Sequence, residues 1–351
     1  MKFSLSLLPD VTPNRAAEIA KAAESNGIYG FWVADEIYHR DAWMTLAACA
    51  LNTTRIRLGT GVTHVVLREP TFVAQAMGTL DQMAPNRAFC GISIGNIGML
   101  AQYVHLPPTK ELKPFVRLEE SLKIIRTLIH DGKIDFKGQF HQYSAVTTSA
   151  TTKNYIPFYL GGMGGPKSFQ LAGKIGDGVM TAMGYSKEYH EYVVNNTAQG
   201  ARDAGRKEPK KLPYAAWDIF CTAPRSEAAK EAARSFVAFY IPSMPDQQVK
   251  LHGVSPEAVK PIRDAFAKAD FDLAVKLTTD EFVDKFSISG SPDEVVEKLQ
   301  KDFIHGGVDE LVACIVEPEV VGSMMGVNIR DIPGYPANLE LISKKIIPHL
   351  G

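Results

Sequence analysis

The stretch from Arg55 to Asn96 reads as strand, glycine-marked turn, helix and strand, and this unit narrows the folds open to the whole chain. Residues 56–62 and 88–94 are short apolar runs, the first interrupted by Gly59 and Gly61 and the second closed by Gly95. Between them Phe72, Val73, Ala76, Met77, Leu80 and Met83 recur at helical spacing. Strand, helix and strand joined this way form a βαβ unit, whose two strands are parallel neighbours. Gly59 and Gly61 permit a close backbone approach to a flat ligand at the strand tip, and they would serve close strand packing equally well.

The same alternation runs along the chain. Strands are predicted at residues 3–8, 29–34, 56–62, 88–94, 157–160, 178–182, 214–222 and 310–316. Every one but the last is followed by a helical pattern, and a final helix is expected at 339–347. Thr12 is an N-cap candidate with Pro13 at the first helical position. Residues 132–146 alternate apolar and polar around Lys137-Gly138, as an inserted β-hairpin would. About ninety residues between strands seven and eight carry only helical patterning. Eight strands with intervening helices predict an α/β protein, a (β/α)8 TIM barrel, as one domain over 1–351 with insertions at about 132–156 and 225–305.

A barrel of this kind accommodates 351 residues, 45% hydrophobic and 22% charged. The formal charge of −1 offers no electrostatic attraction for nucleic acid, and no apolar run approaches the length of a membrane span. The start MKFSLSLLPD is too short in its apolar run for a signal peptide, so a cytoplasmic location is expected. The four cysteines lack metal or redox spacing and read as buried hydrophobes, with Cys221 the candidate should one be reactive.

Chemistry in such a barrel sits at the carboxyl ends of the strands: Ser6, Asp35-Glu36, residues 61–64, Gly95-Asn96, 161–165, 181–183, 218–221 and 316–317. Few of these are metal ligands, no HxH or HExxH spacing occurs, and no metal is expected. The glycine loop 161–165 precedes a helix opened by Pro166, so its N–H groups and the helix N-terminus suit an anion such as phosphate, with Thr181 as a further donor. A plain βα turn would look the same.

Several segments resemble the luciferase-like flavin and deazaflavin oxidoreductases, and within them the methylenetetrahydromethanopterin reductases. They are MKFSLSLLPD, TGVTHVVLREP, TLDQMAPNRAFCGISIGN, IPFYLGGMGGPKSFQLAGKIGDGVM, FSISGSPDEVVEKL and HGGVDELVACIVE, together spanning nearly the whole chain. The resemblance implies a homodimeric barrel that binds coenzyme F420 at the strand tips and transfers hydride to or from a pterin-like small molecule. It further implies a bulge with a non-prolyl cis peptide at Gly61-Val62, with Thr63 beside it. Cofactor contacts are implied at Asp35, Gly95 and Asn96, and a phosphate site at Gly164, Gly165 and Thr181.

The departures are informative. Ser6 stands where the reductases carry an acid, Glu36 where they carry a histidine, and Asn96 where a related dehydrogenase branch has an acid. Glu36, set among Trp32, Trp43 and a bound ring, is the candidate acid–base group, with His64 the second; a surface acid and a structural histidine are the plain readings of the same residues. Ser6 and Trp43 are candidates for the substrate pocket. FMN in a monooxygenase is the alternative to F420, and a barrel that binds a flavin or pterin without turnover is the second alternative.

Overall fold

The computed structural model describes residues 1–101, 103–207, 211–322 and 329–351. Its strands are β1 (Lys2–Leu7), β2 (Gly30–Val33), β3 (Arg57–His64), β4 (Ala88–Ser93), β5 (Lys133–Lys137), β6 (Gln142–Thr147), β7 (Phe158–Gly162), β8 (Gly178–Ala182), β9 (Tyr214–Thr222), β10 (Ile288–Gly290) and β11 (Glu310–Ile315). Eight of them, β1, β2, β3, β4, β7, β8, β9 and β11, pair in parallel in that order, and β11 closes on β1 through registers such as Leu5↔Ala313. This is the (β/α)8 barrel the alternation predicts. Strands covered by helices outside and packed on one another inside are apolar on both faces, and all four residues of β2 and all nine of β9 are buried.

The caps follow local rules. The Thr12 hydroxyl accepts from Arg15 N–H ahead of helix Pro13–Ser25, as predicted. Asp41 caps helix Ala42–Asn52, and Glu69 caps helix Pro70–Met83. β5 and β6 form the predicted antiparallel hairpin. The region between β9 and β11 holds more than helices: β10 pairs with the distal half of β9, where β8 has already ended, and Leu299–Ile304 is a π-helical stretch. A three-residue strand is too short to show a period, which is why a helical reading covered it.

The barrel interior explains the glycines of β3 and corrects one expectation. Trp32 does not screen Glu36; it fills the lumen lower down, against Phe89 at 4.2 Å and Tyr159 at 5.3 Å between ring centroids. Its Nε1 donates to Glu310 Oε1 at 2.8 Å, and Ser4 Oγ donates to the same oxygen at 2.6 Å. Burial pushes that carboxyl up. A Cβ on Gly59 would come within 2.2 Å of the Phe89 carbonyl, so this glycine serves strand packing. One on Gly61 would lie 3.1 Å from Trp32 Cβ, so Gly61 rests directly on the indole.

Candidate functional site

The carboxyl ends of the strands form an open mouth. Most of β3 is buried, yet Gly61 and Val62 are partly exposed, as are residues 94–96 after β4 and Gly161 and Gly162 at the end of β7. At this point β3 bulges: its register to β4 shifts between Thr60 and Thr63, and the Gly61–Val62 peptide is cis. The bulge carries a Val62 methyl between Gly91 and Gly161, where a Cβ would meet it at 3.0 and 3.4 Å. A flat ring system fits backbone of this kind, since no side chain longer than valine stands on the bulge.

Beside it stand two acidic residues in different states. Asp35 is buried, and both its oxygens are taken. Arg68 Nη2 donates to Oδ1 at 2.6 Å, while Arg68 Nε at 3.0 Å and Thr63 Oγ1 at 2.7 Å donate to Oδ2. Arg68 also reaches the cap residue Asp41 at 2.9 Å and is held firmly protonated by the two carboxylates. Arg68 was missed in the sequence, since a lone arginine after a strand carries no pattern. Asp35 thus ties the bulge to the loop after β2.

Glu36, next in the loop after β2, engages a different partner. Its Oε1 lies 3.1 Å from His64 Nε2, so the structure brings together the two acid–base candidates. On the other side, His64 Nδ1 is 3.5 Å from Ser93 Oγ, which accepts from Gly95 N–H at 2.9 Å. The Glu36 carboxylate can only accept, so the ring hydrogen of this contact sits on Nε2, and Ser93 Oγ stands beside Nδ1 on the far side of the ring. Gly95, at φ +79°, is obligatory: a Cβ there would sit 3.0 Å from His64 Nδ1. The Gly91 to Gly95 segment GISIG has the spacing of a nucleophile elbow, so the expectation that the chain holds no such motif is wrong. Ser93, however, lies buried within β4 and serves the histidine.

Ser6 is occupied, its Oγ accepting from Trp217 Nε1 at 2.7 Å. Trp217 in turn packs against Tyr240 at 5.3 Å. Trp43 is half-buried against the core at the start of its helix. Asn96 sits at the partly exposed mouth.

Across the barrel, the glycine loop and the loop after β8 are fastened from behind. Tyr189 Oη donates to the Met163 carbonyl, and Tyr192 Oη donates to Gly164 O at 3.4 Å. Gln248 Nε2 donates to the carbonyls of Ala182 and Met183 at 2.7 and 2.8 Å, and Asp218 Oδ1 accepts from Gly184 N–H at 2.7 Å. Gly164 lies against Gln248 and Pro245, whereas a Cβ on Gly165 would meet open space. The Thr181 hydroxyl is not directed at this loop: it pairs with Tyr214 Oη at 3.0 Å in the layer behind the barrel. Cys221 is fully buried and its thiol is pushed up, so it is inert. Among the described residues no cluster of three or more metal-ligating side chains occurs.

His252 holds the same loop. Its Nδ1 donates to Gln248 O at 2.7 Å and its Nε2 accepts from Tyr185 N–H at 2.8 Å, so the ring must be neutral. Burial pushes it down to about 4. An unfolded histidine binds its proton near pH 6.5, so the unfolded state holds more protons between pH 6.5 and 4, and this group's stabilisation is lost as pH falls through that window. In His252→Gln the difference in unfolding free energy between pH 7 and pH 5 is expected to be about 2 kcal/mol smaller than in the wild type, measured by urea titration. An unchanged difference would remove His252 as the titrating group.

Residues 1–310 match the family model described as luciferase-like monooxygenase. The chain is 32% identical to the 5,10-methylenetetrahydromethanopterin reductase of Methanolobus tindarius, covering 99% of this chain and 100% of that one. It is likewise 32% identical to the enzyme of the same name from Archaeoglobus fulgidus, with both chains fully covered. The structure of the coenzyme F420 dependent tetrahydromethanopterin reductase from Methanopyrus kandleri superposes with a TM-score of 0.88 at 27% identity, over 100% of this chain and 99% of that one. The chain belongs to the luciferase-like family, alongside the methylenetetrahydromethanopterin reductases it matches from end to end.

Proposed function

We propose that this protein is a coenzyme F420-dependent oxidoreductase that transfers a hydride between the deazaflavin and a pterin-like substrate, in the manner of its reductase relatives. The observation that carries the reading is the strand-tip mouth, where the bulged backbone at Gly61 and Val62 lies open beside the Glu36–His64 pair in a chain that matches an F420-dependent reductase over its full length. When bound, the coenzyme supplies or accepts the hydride. Gly61, Val62 and Thr63 would support its ring, with Gly95 and Asn96 flanking it. Gly164 and Gly165, whose loop opens helix Pro166–Ile175, would hold its phosphate.

The chain's own contribution is to place protons and exclude water. Glu36 and His64 share a proton at Nε2, and Ser93 fixes the ring so that this nitrogen faces the carboxylate. Ser6 cannot replace the acid of the reductases, so protonation falls to the Glu36–His64 pair. Asp35 acts through its ion pair with Arg68 as a positioning residue for the bulge.

A homodimer in the cytoplasm, with no nucleic acid partner, completes the reading. Met44, Leu51 and Phe72 are exposed apolar residues on the neighbouring helices Ala42–Asn52 and Pro70–Met83, a face suited to a second copy. Light scattering at a single chain mass would rule the dimer out. Among the described residues no helix is long and apolar enough to cross a membrane.

Titration of the purified protein with oxidised F420 and, separately, with FMN tests the cofactor. Micromolar quenching by F420 with FMN at least about 10-fold weaker is expected, a gap of about 1.4 kcal/mol. The reverse order would favour a flavin monooxygenase. Tight F420 binding without turnover of any acceptor would leave a binding barrel, and binding of neither would overturn the reading.

A further inference from the structure

The loops after β2 and β4 flank the tip of β3, because these strands are its two barrel neighbours. Tyr38 in the first loop and Tyr103 in the second meet there, with ring centroids 5.4 Å apart and planes tilted by 43°. Both rings stay open to solvent, at 45% and 56% exposure. Two large aromatic side chains brought together from separate loops yet left uncovered are poorly explained by core packing.

Tyr38 is braced from behind. The His39 ring packs against it edge-on at 4.7 Å, and His39 Nδ1 lies 2.8 Å from Asp10 Oδ1 in the loop after β1. Burial, with a smaller contribution from the Glu36 carboxylate, pushes the Tyr38 phenol up, so it remains a neutral ring. Tyr240, at the end of helix Ser226–Tyr240, also feels both Glu36 and Tyr38, and it packs on Trp217. Tyr38 and Tyr240 therefore both stand near Glu36, the first paired with Tyr103 and the second packed on Trp217.

We infer that Tyr38 and Tyr103 form the outer wall of the substrate site and recognise a flat heteroaromatic substrate by stacking, without taking part in holding the cofactor. The inference rests on the proposed function, since it assigns the substrate side of that site. The wedge between two tilted, half-exposed rings fits a planar ring system carrying its polar groups on the edge. Such a substrate would lie directly above the Glu36–His64 pair. Stacking on an aromatic side chain needs only a π-face, so it favours flat ring substrates as a class over sugars or aliphatic alcohols.

The test uses the full-length protein loaded with F420 and methylenetetrahydromethanopterin as the varied substrate. Tyr38→Ala and Tyr103→Ala are each expected to raise KM about 10-fold, with kcat within about 3-fold of wild type and the F420 dissociation constant within about 2-fold. Tyr38→Phe and Tyr103→Phe, which keep the rings, should restore KM. Fluorescence titration with tetrahydromethanopterin makes the same comparison at equilibrium, without turnover. An unchanged KM in both alanine variants overturns the inference, as does a loss of F420 affinity in step with KM. A wild-type protein that binds F420 but no pterin overturns the inference together with the pterin part of the functional reading, and one that binds neither overturns that reading whole, whereas unchanged KM in the alanine variants of an active enzyme overturns the inference alone. Matching melting temperatures of wild type and variants separate these outcomes from unfolding.

Discussion

Glu36→Gln is expected to lower kcat by about 100-fold or more while leaving the F420 dissociation constant within about 2-fold of wild type, as measured by steady-state kinetics and fluorescence quenching. Glu36 Oε1 and His64 Nε2 are 3.1 Å apart, close enough to exchange the proton between them. Ser93, itself held by the Gly95 N–H, stands at Nδ1 on the far side of the ring and keeps Nε2 towards the carboxylate. A glutamine keeps the size and a hydrogen bond but cannot take the proton. His64→Ala should cost as much as Glu36→Gln, and the double variant little more than either, because groups that act as a unit lose their function once. If Glu36→Gln retained turnover within about 3-fold, the proton would have to come from elsewhere, and the pair would be structural.

Arg68→Ala is expected to destabilise the protein by about 3 kcal/mol and to weaken F420 binding at least about 10-fold, read from urea unfolding and from the same quenching titration. The substitution strands the buried Asp35 carboxylate with the Thr63 hydroxyl as its one remaining donor of those described above. The estimate sits at the lower end for breaking a buried ion pair because the guanidinium is itself about a third exposed. Losing Arg68 also loosens the bulge, since this arginine, just after β3, ties Asp35 and Asp41 in the segment after β2 to it. Asp35→Asn in the Arg68→Ala background should recover part of the stability by removing the unpaired charge. A double variant no more stable than Arg68→Ala would show that the arginine acts through Asp41 instead.

The barrel was legible from periodicity alone. β8 and β9 fall on the residues the apolar runs predict, and the other barrel strands differ by one or two residues at their ends, where hydrogen-bond pairing rather than hydrophobicity sets the limit. β10 escaped because three residues cannot display a period. The members of the site were partly legible. Asp35, Glu36 and His64 stood out as chemistry-bearing residues at strand tips, and the glycines around 61 and 161–165 marked backbone that could be approached. Their state was not visible. Nothing in the order of residues says that Arg68 consumes both oxygens of Asp35, that Ser6 is taken by Trp217, or that Thr181 turns outward to Tyr214. Nor does it say that Gln248 and His252, from the helical insertion, hold the loop after β8.

What the sequence determined by itself is therefore the alternation of strand and helix, the closure of the barrel and the ends at which chemistry collects, because these follow from side-chain period and from the chirality of βαβ connections. The tertiary structure alone decided which carboxylate is spent on an ion pair and which is left to share a proton, and which aromatic rings line the mouth. Those outcomes depend on partners 28 to 211 residues away in the chain, as Asp35 to Thr63 and Ser6 to Trp217 illustrate. Hydrogen bonds act over about 3 Å of space, and no sequence spacing encodes that distance until the barrel has closed.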